Sequence, residues 1–184
     1  MPATRAELMA TLERLGIATA TVEHPPLFTV EESRALRGEI AGGHTKNLFL
    51  KDKKDRVYLV VAEEDAEIDM KSLHRRIGSA RLSFGRPELL AALFGVVPGS
   101  VTPFGVINDT AGRVTVILDA GLMRHDRLNF HPLQNTATTT IARGDLVAFL
   151  RHTGHEPRIL PVTGSALHGA AADSTLESRP GLAK

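Results

Sequence analysis

The sequence predicts an α/β (α+β) fold, with a mixed, largely antiparallel central sheet flanked by helices. Segments with strand-like alternation outnumber segments with helical periodicity, and many are joined by short turns. Strands and helices do not alternate regularly, as they would in a doubly wound parallel sheet. A chain of 184 residues suits one domain with a substantial core.

The N-terminal third predicts two helices, one strand and one hairpin. Thr4 and Glu7 form a capping box ahead of leucines at helical spacing, and Thr29 and Glu32 form another ahead of a short helix ending near residue 38. Residues 17–24 alternate like a strand. The clearest hairpin is an apolar strand, a charged turn at 52–55 and a second apolar strand, in the segment GGHTKNLFLKDKKDRVYLVVA.

The remaining elements follow from caps, breakers and periodicity. Asp69 predicts a helix that runs through Ile77, and Pro87 suits the first position of the next helix. Four glycines or prolines among residues 95–103 exclude a regular helix there. The last elements are strands at 113–119, in the Thr-rich run up to 141 and at 158–162, with a helix at 144–152.

The C-terminal segment differs from the rest of the chain. Residues 165–184 are small and polar, without apolar periodicity, so we expect a disordered tail after a folded domain at 1–164.

Composition excludes several classes of protein. The absence of cysteine removes disulfides, thiolate metal sites and cysteine nucleophiles. A net charge of +1 and no helix-turn-helix pattern argue against DNA binding. No apolar run approaches the roughly 20 residues of a membrane span, so we expect a cytoplasmic protein with no membrane partner.

Common catalytic motifs are missing from the sequence. There is no G-x-S-x-G elbow, no Walker A loop and no H-E-x-x-H. His152 and His155 have the spacing of metal ligands but no third ligand nearby, so exposed histidines at a helix end are the expected reading. We therefore predict neither a metal nor a cofactor.

Three local features have both a structural and a functional interpretation. Lys46 opens an apolar strand, where it either extends to the sheet edge or offers a point charge to a phosphate. The segment 99–103 is either a plain loop or a place where Gly99 lets a ligand approach the backbone. His131, fixed by Pro132, is either a capping residue or a site residue.

Four segments in order carry a resemblance to a known family: EHPPLFTVEES, GGHTKNLFLKDKKDRVYLVVA, GSVTP and NFHPLQNTATTTI. With these, roughly residues 5–163 resemble the YbaK/prolyl-tRNA-synthetase-associated editing domain family. Within it, the chain is most similar to the freestanding deacylases that remove alanine from mischarged tRNA for proline.

The resemblance implies roles for particular residues. Lys46 would contact the terminal nucleotide of the tRNA, the loop at Gly99 would offer backbone N–H groups to the aminoacyl carbonyl, and His131 would form a wall of the amino-acid pocket. These three are the predicted catalytic residues, and no nucleophile is assigned. The predicted substrate-binding residues are Asn47, Ser100, Pro103, Asn129 and Thr136.

The implied function is hydrolysis of mischarged aminoacyl-tRNA, most of all Ala-tRNA(Pro), by oxyanion stabilisation and attack of water on the ester. The alternatives are a deacylase of the same fold for cysteinyl or seryl esters, and a non-catalytic module that binds tRNA or an amino acid. The expected partners are the tRNA acceptor end and prolyl-tRNA synthetase, with the protein a monomer or weak homodimer.

Overall fold

A computed structural model describes residues 1–27, 30–38 and 40–164. The predicted capping role of Thr29 and the predicted tail at 165–184 lie outside these residues. The helices are α1 (Arg5–Arg14), α2 (Val30–Arg37), α3 (Leu73–Ile77), α4 (Pro87–Phe94) and α5 (Arg143–His152), with 3₁₀ helices at Pro103–Asn108 and Leu122–Arg124.

Eight strands form one sheet in the described part of the chain. Their order is β1-β7-β6-β2-β3-β5-β8. The short strand β4 pairs with the end of β2, on the same edge of β2 that pairs with β6 near its start. The strands are β1 (Thr19–Glu23), β2 (Gly43–Asp52), β3 (Val57–Glu63), β4 (Leu82–Phe84), β5 (Val114–Asp119), β6 (Arg127–Phe130), β7 (Ala137–Ala142) and β8 (Arg158–Leu160).

The predicted mixed sheet with flanking helices is confirmed. Neighbouring strands pair antiparallel in β1–β7, β6–β7, β2–β3 and β2–β4, and parallel in β2–β6, β3–β5 and β5–β8. The parallel pairs arise where a helix-containing segment separates two strands in sequence, because a parallel pair needs a long crossover.

The sheet buries apolar residues on both faces. Along β3, Val57, Leu59 and Val61 belong to the larger core cluster, whereas Tyr58 and Val60 belong to the smaller one. This alternation follows from the two-residue period of a strand. Both faces of β3 are therefore covered.

Among the described helices, none combines the length and the apolar character that a membrane span needs.

The local predictions hold in most places. The capping box of Thr4 and Glu7 is present, and Pro87 is the first residue of α4. The helix predicted from Asp69 begins later, at Leu73, because the Asp69 carboxylate instead accepts from the backbone of Lys71 and the Ser72 hydroxyl in a preceding turn. The short strands β4 and β6 were not predicted.

Candidate functional site

A small cavity of about 80 Å³ lies where β2, β6 and β7 come together. Two larger clefts, of about 740 and 670 Å³, contain none of the predicted site residues. The small cavity brings together residues from β2, from the turn after β3 and from both sides of the His-Pro turn. Its lining residues are Leu27, His44, Thr45, Asn47, Glu64, Asn129, Phe130, His131 and Thr138.

His131 forms one wall of this cavity. Its Nδ1 lies 2.9 Å from the carbonyl oxygen of Ala137. A carbonyl only accepts, so Nδ1 carries the hydrogen, and in the neutral ring Nε2 is left as an acceptor. Burial lowers the pKa of His131, because the imidazolium loses hydration, and the hydrogen bond to Ala137 opposes this only in part. The ring is therefore neutral at pH 7.

The turn that follows His131 holds the ring in place. Pro132 is buried, and Leu133 adopts a left-handed conformation with φ of +68°. The Leu133 N–H donates to the His131 carbonyl at 3.0 Å. A left-handed conformation is uncommon for a branched residue and persists only where its surroundings impose it.

His24 and Thr138 support the same wall. The His24 ring centroid lies 6.1 Å from that of His131. The His24 Nδ1 donates to the Pro25 carbonyl, and its Nε2 lies 2.8 Å from the Thr138 hydroxyl. Thr138 lines the cavity, and its hydroxyl holds the His24 ring beside that of His131.

Asn129 braces the opposite side of the cavity. Its Nδ2 lies 3.2 and 3.3 Å from the carbonyls of Ala41 and Gly43, and its Oδ1 accepts from the Thr140 hydroxyl. The amide is thus fully used within the chain, although Asn129 lines the cavity.

Gly43, at the start of β2, packs closely against His125. A Cβ at Gly43 would lie 2.8 Å from the His125 ring, so this close approach requires glycine.

The loop at Gly99 lies beside the turn that follows His131. Gly99 has φ of +92°, and a Cβ built on it would lie 4.0 Å from Nδ2 of Asn135. The Ser100 N–H donates to the Val97 carbonyl at 3.0 Å and is not free for a ligand. Within the described residues, the N–H groups of Gly99 and Val101 have no hydrogen-bond partner.

Lys46 and Asn47 lie on opposite faces of β2, because side chains alternate along a strand. Asn47 lines the cavity, whereas the Lys46 ammonium donates to the carbonyl of Ala66 in the turn after β3. Lys46 is therefore absent from the cavity lining, and its ammonium contacts the turn that supplies Glu64 to that lining. An ammonium has three N–H donors, so the bond to Ala66 leaves two for a ligand.

Three other predicted binding residues lie away from the cavity lining. Ser100 is 3% exposed, and Pro103 is buried at the start of the 3₁₀ helix. The Thr136 hydroxyl accepts from Nε2 of Gln134, and it is Thr138, two residues further, that lines the cavity.

The sequence did not identify every residue of the cavity. His24, Thr45, Glu64 and Thr138 contribute to it or support it, yet none was assigned a role. His24 and Thr138 lie within the segments EHPPLFTVEES and NFHPLQNTATTTI, which was the available signal. His152 and His155, at the end of α5, take no part in this site. His152 is exposed as expected, whereas His155 is buried against Asp109.

The described residues form a mixed α/β domain with a small polar cavity where β2, β6 and β7 meet. The model of the family "Aminoacyl-tRNA editing domain" matches residues 24–149, more than half of the chain. The chain belongs to this family. The predicted family and the predicted class of enzyme, an aminoacyl-tRNA deacylase, are thereby confirmed.

Individual relatives agree with this assignment. The chain is 42% identical over 158 residues to "Prolyl-tRNA synthetase associated domain-containing protein 1" of Danio rerio, covering 85% of this chain and 86% of the relative. It is 38% identical over 149 residues to "Prolyl-tRNA editing protein ProX" of Acetoanaerobium sticklandii, covering 80% and 91%.

A solved structure shares the fold. The crystal structure of a candidate trans-editing enzyme for prolyl-tRNA synthetase superposes with a TM-score of 0.64 at 23% identity, covering 88% of this chain and 99% of that one.

Proposed function

We propose that the protein is a freestanding trans-editing deacylase that hydrolyses Ala-tRNA(Pro). The observation that carries this proposal is the small volume of the cavity, about 80 Å³, behind the His131 wall. A cavity of about 150 Å³ holds benzene, with its six heavy atoms, so this one suits roughly three. Alanine places its α-carbon, methyl and amine there, whereas proline brings a five-membered ring.

Discrimination by size explains why such an enzyme is needed. A synthetase pocket shaped for proline cannot strongly reject the smaller alanine, because each missing methylene is worth only about 1–3 kcal/mol. A second pocket that admits alanine and excludes proline supplies the remaining discrimination. Relatives named for prolyl-tRNA editing and for prolyl-tRNA synthetase support this substrate and this synthetase as a partner.

The chemistry requires little from the protein. An aminoacyl ester is already activated, so its hydrolysis needs an oriented water and stabilisation of the oxyanion. The N–H groups of Gly99 and Val101 are the donors available for the oxyanion. The water is activated by the terminal 2′-hydroxyl of the tRNA or by a polar side chain. We place this reaction in the cytoplasm, with the protein a monomer or weak homodimer.

A deacylation panel tests the substrate. Purified protein is incubated with tRNA(Pro) charged with alanine, serine, cysteine or proline, and loss of each ester is followed. We expect rapid loss of the alanyl ester and survival of the prolyl ester. Faster loss of the seryl or cysteinyl ester would assign that specificity instead, and binding without hydrolysis would indicate a non-catalytic module.

Replacing Lys46 with alanine should slow deacylation about ten- to a hundredfold and leave the fold intact, because a charge-assisted contact to the tRNA is lost. The rate and the melting temperature are measured together. The matched control is Lys51→Ala on the same strand, whose exposed ammonium lies 3.0 Å from Asp55. If Lys46→Ala melts lower but deacylates at the wild-type rate, Lys46 serves only the Ala66 turn.

Replacing His131 with alanine should change selectivity more than it lowers the overall rate. Loss of the imidazole enlarges the cavity, so the prolyl ester becomes a substrate while the alanyl ester is held less firmly. Because burial lowers the pKa of His131 below the ordinary value of about 6.5, the wild-type rate should show no inflection as pH falls to that value.

The two esters are compared across pH 5.5–8.5 in wild type, His131→Ala and His152→Ala, the last an exposed histidine at the end of α5. A general base would behave differently from a wall. Its removal would slow both esters alike, by about 10²–10⁴, with loss of a titration, and that result would refute the wall.

A further inference from the structure

His125 and Glu63 contact each other beside the small cavity, although neither side chain lines it. Nε2 of His125 lies 3.0 Å from Oε1 of Glu63. A carboxylate only accepts, so Nε2 carries a hydrogen whether the ring is neutral or charged. The two side chains are 41% and 34% exposed, and a pair this exposed contributes little to the stability of a fold. Its importance lies in the elements that it joins.

The contact spans β2, the strand that supplies three residues of the cavity lining. Glu63 is the last residue of β3 and lies directly opposite Thr45 on β2. His125 comes two residues before the start of β6, which pairs with the other edge of β2. The contact therefore joins the two neighbours of β2 to each other across that strand.

Gly43 makes room for this crossing. Gly43, Thr45 and Asn47 share one face of β2, because side chains alternate along a strand. The His125 ring occupies the place where a side chain of residue 43 would lie, since a Cβ built on Gly43 would be 2.8 Å from Cγ of the ring. Thr45 and Asn47, the next two residues on that face, line the cavity. The ring thus stands in the same row as two cavity walls.

The two strands that carry opposite walls of the cavity share a short ladder. β2 and β6 pair over two residue pairs, Gly43 with Leu128 and His44 with Asn129, whereas β2 and β3 pair over seven. Side-chain contacts must therefore fix the separation of β2 and β6. In a cavity of about 80 Å³, a small change in this separation alters which side chains fit.

We propose that His125 and Glu63 are positioning residues of the editing reaction, whose contact across Gly43 sets the distance between the cavity walls on β2 and β6. This rests on the proposed editing function. The two side chains act through the strands that carry the lining residues. When the contact is lost, the alanyl ester is oriented less well and the prolyl ester is excluded less well.

Hydrogen exchange of the free protein tests this contact without a substrate. Glu63→Ala and His125→Ala should speed backbone exchange about two- to tenfold in residues 43–47 and 128–131, because a hydrogen bond that holds this region is lost. Residues 114–118, in the ladder between β3 and β5, should exchange as in wild type. Glu156→Ala is the control, since it breaks an exposed pair with Arg151 after α5 and should match wild type throughout.

The same variants are then assayed with alanyl- and prolyl-tRNA(Pro). Glu63→Ala and His125→Ala should lower kcat for the alanyl ester about two- to tenfold and change KM less than about twofold, because Lys46 and the loop at Gly99 do not move. Hydrolysis of the prolyl ester should become measurable. The melting temperature should fall by no more than about 4 °C. Glu63→Gln keeps an acceptor for Nε2 and should keep the wild-type kcat.

Gly43→Ala reaches the same contact from the other side. The added methyl group displaces the His125 ring from Glu63, so this variant alone should reproduce the effects of Glu63→Ala. In the Glu63→Ala background it should add little, because the contact is already lost. Losses that multiply in the double variant would overturn the proposal, since Gly43 and Glu63 would then act independently.

The outcomes separate the positioning role from the editing function. Unchanged exchange in Glu63→Ala and His125→Ala, with a wild type that hydrolyses the alanyl ester, would overturn the positioning role and leave the deacylase. Faster exchange throughout the chain with a large fall in melting temperature would also overturn it, because the contact would then serve the whole fold. If wild type prefers another ester of the panel, that ester replaces the alanyl one. A wild type that hydrolyses no ester would overturn both proposals.

Discussion

Replacing Gly99 with valine should lower the turnover of Ala-tRNA(Pro) about 10²–10³-fold, the usual effect of losing one oxyanion donor. The new side chain would point toward Asn135, into the space between the loop and the turn after His131. It would therefore keep the aminoacyl carbonyl away from the N–H groups of Gly99 and Val101. Binding of the tRNA should weaken much less than turnover.

The backbone strain of this substitution needs its own control. Gly99 has φ of +92°, and a residue with a Cβ in the left-handed region costs roughly 1–2 kcal/mol. Gly16→Val shares that strain, with φ of +71° and nothing within 4 Å of its Cβ, but lies at the end of α1. Comparable losses of activity in both variants, or equal losses of binding and turnover in Gly99→Val, would argue against an oxyanion role.

Replacing Asp109 with alanine should destabilise the fold by about 3–5 kcal/mol, because two buried donors would lose their carboxylate acceptor at about 1–3 kcal/mol each. The Asp109 carboxylate is 1% exposed and accepts from Nε2 of His155 at 2.8 Å. It also accepts from the N–H groups of Arg113 and Val114 at 3.0 and 2.8 Å. Nε2 of His155 and the Val114 N–H would be left buried without a partner.

Both nitrogens of the His155 ring have a partner. Nε2 faces the Asp109 carboxylate, and Nδ1 lies 2.9 Å from the Thr153 hydroxyl, which also lies 2.8 Å from the Leu150 carbonyl oxygen. The pair joins the end of α5 to the start of β5, 46 residues apart in sequence.

Thermal unfolding measures the effect. About 3–5 kcal/mol corresponds to a fall of roughly 6–20 °C in melting temperature for a chain of this size. Asp126→Ala is the matched control, because its carboxylate is 94% exposed and lies 3.6 Å from Arg143. An exposed pair of this kind contributes about 0–1 kcal/mol. A melting temperature for Asp109→Ala within the range of the control would contradict the prediction.

Local signals in the sequence predicted much of the fold. The capping box at Thr4, the first-turn position of Pro87 and the hairpin of β2 and β3 depend on neighbours in sequence, and all are present. The strands β4 and β6 escaped prediction because they are three and four residues long. Such short segments form only when a longer strand, here β2, offers its edge.

By itself, then, the sequence determined the family and the mixed sheet and indicated His131 as a candidate site residue, because these are carried by contiguous motifs and by the two-residue period of strands. That period says which residues share a face, but pairing between distant strands decides which face meets the cavity. Only the tertiary structure therefore showed that Asn47 lines the cavity and Lys46 does not, and that Thr138 lines it in place of Thr136. It also brought His155 into contact with Asp109.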